Sequence, residues 1–163
     1  MLSCFRIPGR LSETTPKKKA PVLFWHGLFN AADSFIVNSD NSPAFLAASQ
    51  GYDVWLGNGR GNSYSRKHLQ WDPDKDKSQY WNFSWQHSAN DIPATLEYIV
   101  NLTGFQKVAY IGHSQGTTQL FANLPINQEY YKDRISVFIA LGPIARLSST
   151  KSPAFNALSY FYV

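Results

Sequence analysis

Apolar residues in this chain gather in short continuous runs, separated by polar and glycine-rich stretches. Val22-Leu23-Phe24-Trp25, Asp53-Val54-Trp55-Leu56, Val108-Ala109-Tyr110-Ile111 and Ile135 to Leu141 have the length and the β-branched and aromatic content of buried strands. Cys4 to Ile7 predicts a shorter strand, ended by Pro8-Gly9. Helical spacing appears between these runs. Ser42-Pro43 opens a small helix over Ala44 to Gln50, which Gly51 stops. Ile92, Leu96, Ile99 and Val100 share one face of a helix expected around Ser84 to Leu102 and ended by Gly104. Pro93 either sits near the start of that helix or kinks it. Thr117 to Asn123 predicts another helix, Leu11 to Lys19 a polar turn, and Gly57 to about Phe83 a long irregular stretch of the kind that is usually functional or disordered. Strands alternating with helices argue an α/β fold with a largely parallel sheet, in which sites form at the C-terminal strand ends.

The chain's 163 residues suffice for one domain with a real core, and 44% hydrophobic with 16% charged residues reads as globular. A net charge of +4 is mild, and Lys17-Lys18-Lys19 is shorter than a nucleic-acid patch, so no nucleic-acid partner is expected. Cys4 is the only cysteine, which excludes an internal disulfide and a thiolate zinc site. No apolar run approaches a membrane span, and Met1 to Pro8 has no apolar h-region, so neither a transmembrane segment nor a signal peptide is expected.

The chemistry concentrates at Gly112-His113-Ser114-Gln115-Gly116. It follows one predicted strand and precedes a predicted helix, the context of a nucleophile elbow with pattern G-x-S-x-G. Such a turn strains the serine backbone and thrusts its hydroxyl outward at the strand end. Gly112 and Gly116 flank it because helix and strand must pass closely. Ser114 is thus the candidate nucleophile, and the backbone N–H of Gln115 one candidate donor to an oxyanion. The second donor is assigned to the N–H of Leu28, in the loop His26-Gly27-Leu28, where Gly27 leaves room for the backbone to approach substrate. His26, at the same edge, either polarises substrate or lines the pocket. His113 borders the site, although neighbouring side chains on such a turn diverge, which favours packing.

At these residues the chain resembles the gastric and lysosomal acid lipases, members of the α/β-hydrolase fold. The resemblance rests on Phe24-Trp25-His26-Gly27-Leu28, on Trp55-Leu56-Gly57-Asn58-Gly59-Arg60-Gly61-Asn62-Ser63-Tyr64-Ser65 and on Gly112 through Thr118, with further likeness at Arg6-Ile7-Pro8, Tyr80 to Trp85, Asp91 to Ala94, Ala140 to Ala145 and Thr150 to Pro153. It implies hydrolysis of triacylglycerols or sterol esters at a lipid–water interface through an acyl-enzyme on Ser114, with Leu28 and Gln115 as oxyanion donors. His26, Gly27 and His113 are expected to border the substrate, and no cofactor or metal is implied. It also implies secretion or a lysosome-like organelle.

The departure from that family is equally specific. Its members place Asp and then His after the serine. Here the histidines are His26, His68, His87 and His113, and the only carboxylates after Ser114 are Glu129 and Asp133. The expectation is therefore one incomplete domain over residues 1–163. It would be the N-terminal portion of a mostly parallel sheet flanked by helices, lacking the lid or cap, the C-terminal strands and the triad's acid and base. Such a chain would have negligible lipase activity alone, because a serine without a base is a poor nucleophile. The alternatives are a non-catalytic remnant that binds lipid or a protein partner, or a chain that pairs with a separate polypeptide carrying Asp and His.

Other motifs are set aside. Gly57-Asn58-Gly59-Arg60-Gly61-Asn62 lacks the third glycine of a dinucleotide loop, and Asp72 to Lys77 has Lys77 where a calcium loop needs glycine. Asn82-Phe83-Ser84 and Asn101-Leu102-Thr103 are glycosylation sequons, which matter only in a secreted chain. Trp71, Tyr80, Trp81, Phe83 and Trp85 either line an acyl site or, more in keeping with their setting, pack the long loop on the core. Uncovered apolar surface is expected to promote aggregation.

Overall fold

In the computed structural model, residues 1–10, 12–13 and 18–160 are described, with the side chains of 158–160 excepted. The turn expected over Leu11 to Lys19 therefore lies partly outside the described residues, as does Lys17. The elements are β1 (Cys4–Ile7), β2 (Pro21–Trp25), α1 (Pro43–Ser49), β3 (Asp53–Gly57), α2 (Lys77–Tyr80), α3 (Trp85–Ala89), α4 (Asp91–Thr103), β4 (Val108–His113), α5 (Gln115–Asn123), α6 (Gln128–Arg134), β5 (Ile135–Leu141) and α7 (Pro153–Tyr160).

The strands form one sheet in the order β1-β3-β2-β4-β5, parallel throughout except for β1, which runs antiparallel to β3. Alternation along the strands divides the core. Val22, Phe24, Val54 and Leu56 face Phe35, Ala44 and Ala48 on one side. Leu23, Trp25, Trp55 and Tyr110 face Ile92, Leu96, Ile99, Leu120 and Tyr131 on the other. Complete burial of Ile92, Leu96 and Ile99 on α4 stabilises by roughly 1.5–3 kcal/mol each, so tertiary packing and not propensity holds this helix.

β2 feeds α1 on one face, while β4 feeds α5 on the opposite face. Between the C-terminal ends of β2 and β4 the connections diverge, which opens the crevice where parallel sheets place their sites. Gly27 and Ser114 stand at those two ends.

The helix expected from Ser84 to Leu102 is divided into α3 and α4 at Asn90. Ser84 and His87 close a capping box on α3. Pro93 has no N–H to bond the carbonyl four residues back, that of Ala89, and this carbonyl instead accepts from Asn123 Nδ2 at 2.6 Å. Pro93 thus lies in the first turn of α4, where it breaks the helix behind it without kinking the one it belongs to. Gly104, at φ +66, closes α4. The 57–83 stretch is irregular apart from the single turn α2. Its aromatics pack on the loop itself: Tyr80 lies against Trp81 and His68, and Trp81 against Phe83.

β5 is an edge strand, and its Val137, Ile139 and Leu141 are 40–47% exposed. They continue the face of β4 that carries Ala109, Ile111 and His113, with which they are in register. An edge strand with an open apolar face is a template for association. Ile139→Lys is expected to shift this 163-residue chain from aggregates toward monomer in light scattering, without lowering its helical circular dichroism. Undiminished association would contradict the role assigned to this face.

Candidate active site

Ser114 occupies φ +52, ψ −116, a region that a β-carbon disfavours, directly between the end of β4 and the first residue of α5. The surroundings fix it there. Its N–H donates to Leu141 O at 2.9 Å, its carbonyl accepts from Thr117 N at 2.9 Å, and Thr117 Oγ1 donates to the same oxygen at 2.6 Å. The side chain remains half-buried, beside the crevice.

The flanking glycines are required by contact. A β-carbon on Gly112 would stand 3.0 Å from the Gly116 carbonyl carbon, and one on Gly116 would stand 2.7 Å from Trp25 O and 2.9 Å from His26 O. The start of α5 therefore lies against the end of β2. Tyr110 OH donates to Gly116 O at 2.9 Å, and the buried Trp25 Nε1 donates to Gln119 Oε1 at 2.7 Å. Burial holds the Tyr110 phenol well above its ordinary pKa, so it stays a donor.

Gly27 meets a steric constraint in addition to the role expected of it. A β-carbon there would come 3.0 Å from Ser114 Cβ and 3.1 Å from His113 Nδ1. Glycine thus lets the β2 loop lie against the serine turn, whatever room it also leaves for substrate. The next two residues are open to solvent, Leu28 at 42% and Phe29 at 81%, the latter with φ +59. Among the described residues, neither the Leu28 N–H nor the Gln115 N–H is taken by a protein acceptor. Gln115 is the first residue of α5, where free N–H groups and the positive dipole end are expected.

His26 is buried and both ring nitrogens are engaged. Gly59 N donates to Nε2 at 3.0 Å and Asn62 Nδ2 lies 3.1 Å from the same atom. Nε2 is therefore the acceptor, and Nδ1 carries the proton and donates to Gly27 O at 2.9 Å. Burial lowers the imidazole pKa from its ordinary 6.5, against opposing contributions from the Gly27 carbonyl and Asp33. The ring joins the loop after β2 to the loop after β3.

Residues that motif reasoning passed over complete that joint. Asn58 Oδ1 accepts from Ala32 N at 3.0 Å and from Asn62 Nδ2 at 2.8 Å, and Asn58 Nδ2 donates to Ser3 O at 3.1 Å. Arg60 is bound to the buried Asp91 at the start of α4, through Nη2 at 2.6 Å, Nε at 2.9 Å and its own N–H at 2.8 Å. The signal was present in Gly57-Asn58-Gly59-Arg60-Gly61-Asn62: a run without phosphate-loop spacing, rich in amides, after a buried strand. The other titratable candidates are engaged elsewhere. His68 Nδ1 accepts from Gln70 N and Trp71 N, His87 caps α3, and burial pushes the Cys4 thiol up to about 12.

A family model described as the alpha/beta hydrolase fold matches residues 20–162. Mouse lipase member K is 46% identical over 158 residues, covering 94% of this chain and 38% of the relative. Human gastric triacylglycerol lipase is 42% identical over 155 residues, covering 93% of this chain and 38% of the relative. The chain thus spans well under half the length of these curated relatives. Among solved structures, an H300N mutant of potato epoxide hydrolase superposes with TM-score 0.62 at 19% identity over 99% of this chain and 42% of that one, a likeness of fold.

Two outcomes follow from the geometry. Gly116→Ala forces α5 off β2 and is expected to destabilise by about 1–3 kcal/mol, read as a lowered urea midpoint; an unchanged midpoint would contradict the close approach. Stability supplied by neutral His26 is full above pH 6.5 and is lost as the pH falls through the lower folded-state value. Urea stability measured against pH is therefore expected to fall more steeply below pH 6.5 in the wild type than in His26→Asn. Equal slopes would contradict the buried neutral ring.

Proposed function

The chain belongs to the α/β-hydrolase family, in the acid-lipase group its motifs resemble, and on that premise we propose that it carries the nucleophile and oxyanion half of a serine carboxylic-ester hydrolase. Ser114 Oγ attacks the ester carbonyl. The N–H groups of Leu28 and Gln115 receive the negative charge of the tetrahedral intermediate, the alcohol departs with a proton, and water releases the acyl group from Ser114. Gly27, His26 and His113 border the reacting ester. Each oxyanion donor contributes on the order of 3 kcal/mol to transition-state stabilisation.

The observation that carries this reading is the Ser114 backbone at φ +52, held between Gly112 and Gly116 beside Gly27 with two free N–H groups at the same crevice. The names of the relatives, a lipase and a triacylglycerol lipase, support a lipid ester such as a triacylglycerol; a sterol ester and a lipid–water interface rest on the motif resemblance alone. No histidine follows Ser114 within these 163 residues, and His26 has both nitrogens committed. The general base and its acidic partner are accordingly assigned to polypeptide outside residues 1–163, in one domain with them. The open apolar face of β5 supports that assignment.

An alkyl fluorophosphonate is expected to label this chain slowly and at Ser114 alone, with labelling abolished by Ser114→Ala. Turnover of p-nitrophenyl butyrate is expected at no more than about 10³-fold over water, the residue left by binding and oxyanion donors without a base. Absence of labelling in folded protein would replace this reading with a non-catalytic remnant that binds lipid or a protein. Fast turnover abolished by Ser114→Ala would place the base inside the 163 residues.

A further inference from the structure

We propose that His26 is a positioning residue for the oxyanion donor: its Nδ1–H holds the Gly27–Leu28 peptide so that the Leu28 N–H is presented to the reacting carbonyl. This rests on Leu28 as a donor and says what aims it.

The Gly27 carbonyl and the Leu28 N–H are the two ends of one peptide group. The described chain has no cis peptide bonds, so these two bonds point in opposite directions. Whatever fixes the Gly27 oxygen also fixes the Leu28 hydrogen. Two donors fix that oxygen, His26 Nδ1 at 2.9 Å and Asn30 N at 3.2 Å. Both draw electron density toward the carbonyl, which makes the opposite N–H a stronger donor, as in any chain of hydrogen bonds.

The imidazole does this through its tautomer. In the neutral ring Nδ1 donates when Nε2 accepts, and Nε2 is kept an acceptor by Gly59 N–H at 3.0 Å. The Asn62 amide adds to that demand. Its oxygen is committed to Tyr64 N and Ser65 N, both at 3.0 Å, so its NH2 group is what faces Nε2. The loop after β3 thus sets the tautomer, and the tautomer sets the peptide that ends in Leu28. Leu28 is itself 42% exposed, in a loop that packing alone does not hold, which is why a side-chain latch on its peptide matters.

Two substitutions separate the halves of this arrangement. His26→Asn retains a donor near the Nδ1 position and loses the Nε2 acceptor, whereas His26→Gln retains an acceptor near Nε2 and loses the donor to Gly27. Fluorophosphonate labelling of Ser114 is expected to slow about tenfold in His26→Gln and to recover to within about threefold of wild type in His26→Asn, a misaimed donor costing less than the 10²–10³ of a deleted one. A merely structural histidine predicts equal losses or the reverse order, and either result overturns the proposal.

Nitrogen-15 NMR of the wild type is expected to show His26 protonated at Nδ1, with scalar coupling across the hydrogen bond to the Gly27 carbonyl. The Leu28 amide is expected to shift and to exchange faster in His26→Gln than in His26→Asn. A proton on Nε2, or no coupling to Gly27, overturns the proposal even if neither variant folds. Should wild-type Ser114 resist labelling altogether, the reading of Ser114 fails while the NMR measurements still decide the role of His26.

Discussion

The first turn of α5 lies so close to the end of β2 that only a hydrogen atom fits between them. Gly116 is pressed against the carbonyl oxygens of Trp25 and His26, and Gly112 against Gly116. Nearly everything else about the crevice follows from that approach. Because α5 starts on top of β2, the chain must leave β4 through a bend too sharp for ordinary backbone angles, and Ser114 takes the left-handed angle that results. The same proximity lets the Trp25 indole reach Gln119 and Tyr110 reach Gly116, so the helix is tied to two strands by buried hydrogen bonds. Exit from the turn is held as well. Thr117 Oγ1 accepts from Ile144 N at 3.0 Å, and Thr118 Oγ1 donates to Ile144 O at 2.8 Å, which draws the segment after β5 onto α5.

A second joint, polar where the first is steric, sets the other wall. Loops after β2 and β3 would be free to drift if held by apolar contact alone, since both leave the sheet at its solvent edge. The side chains of His26, Asn58 and Asn62 bind them together, and Arg60 binds the pair to Asp91 on α4. Among the described residues no buried side-chain nitrogen or oxygen lacks a partner, and a fully satisfied network is the kind that rigidifies. The crevice is thus a meeting of backbone segments: one wall fixed by absent side chains, the other by amides and one imidazole.

Much of this was legible in the sequence because steric demands leave a compositional trace. Continuous runs such as Val22-Leu23-Phe24-Trp25 have the length and residue types of strands buried on both faces, and Gly-x-Ser-x-Gly between a strand and a helix signalled the close approach. What escaped were features decided by partners far along the chain. Pro93 divides the 84–102 helix, but the partner that satisfies the carbonyl it frees, Asn123 on Ala89, lies 34 residues away. The role of Gly27 depends on its distance to Ser114, and that of His26 on which atoms its two nitrogens meet. A histidine in sequence carries no tautomer. Asn58 and Asn62 were visible as letters of a motif, but an amide's function is set by what it donates to and accepts from, and no periodicity encodes that.

Strain at Ser114 needs an account, since a left-handed non-glycine residue costs about 1–3 kcal/mol. The structure offsets it locally. Its N–H extends the β4–β5 pairing to Leu141, and its carbonyl receives the N–H groups of Thr117 and Thr118 as well as the Thr117 hydroxyl. Every backbone polar group of the residue is thus engaged by a different element, and relaxing φ toward the ordinary region would release several of these bonds at once. One hydrogen bond contributes about 1 kcal/mol net, so three or four of them match the strain they oppose. Glycine at 114 would remove the steric cost but also the hydroxyl. The hydroxyl is the one polar group of the residue for which the scaffold supplies no hydrogen-bond partner among the described residues.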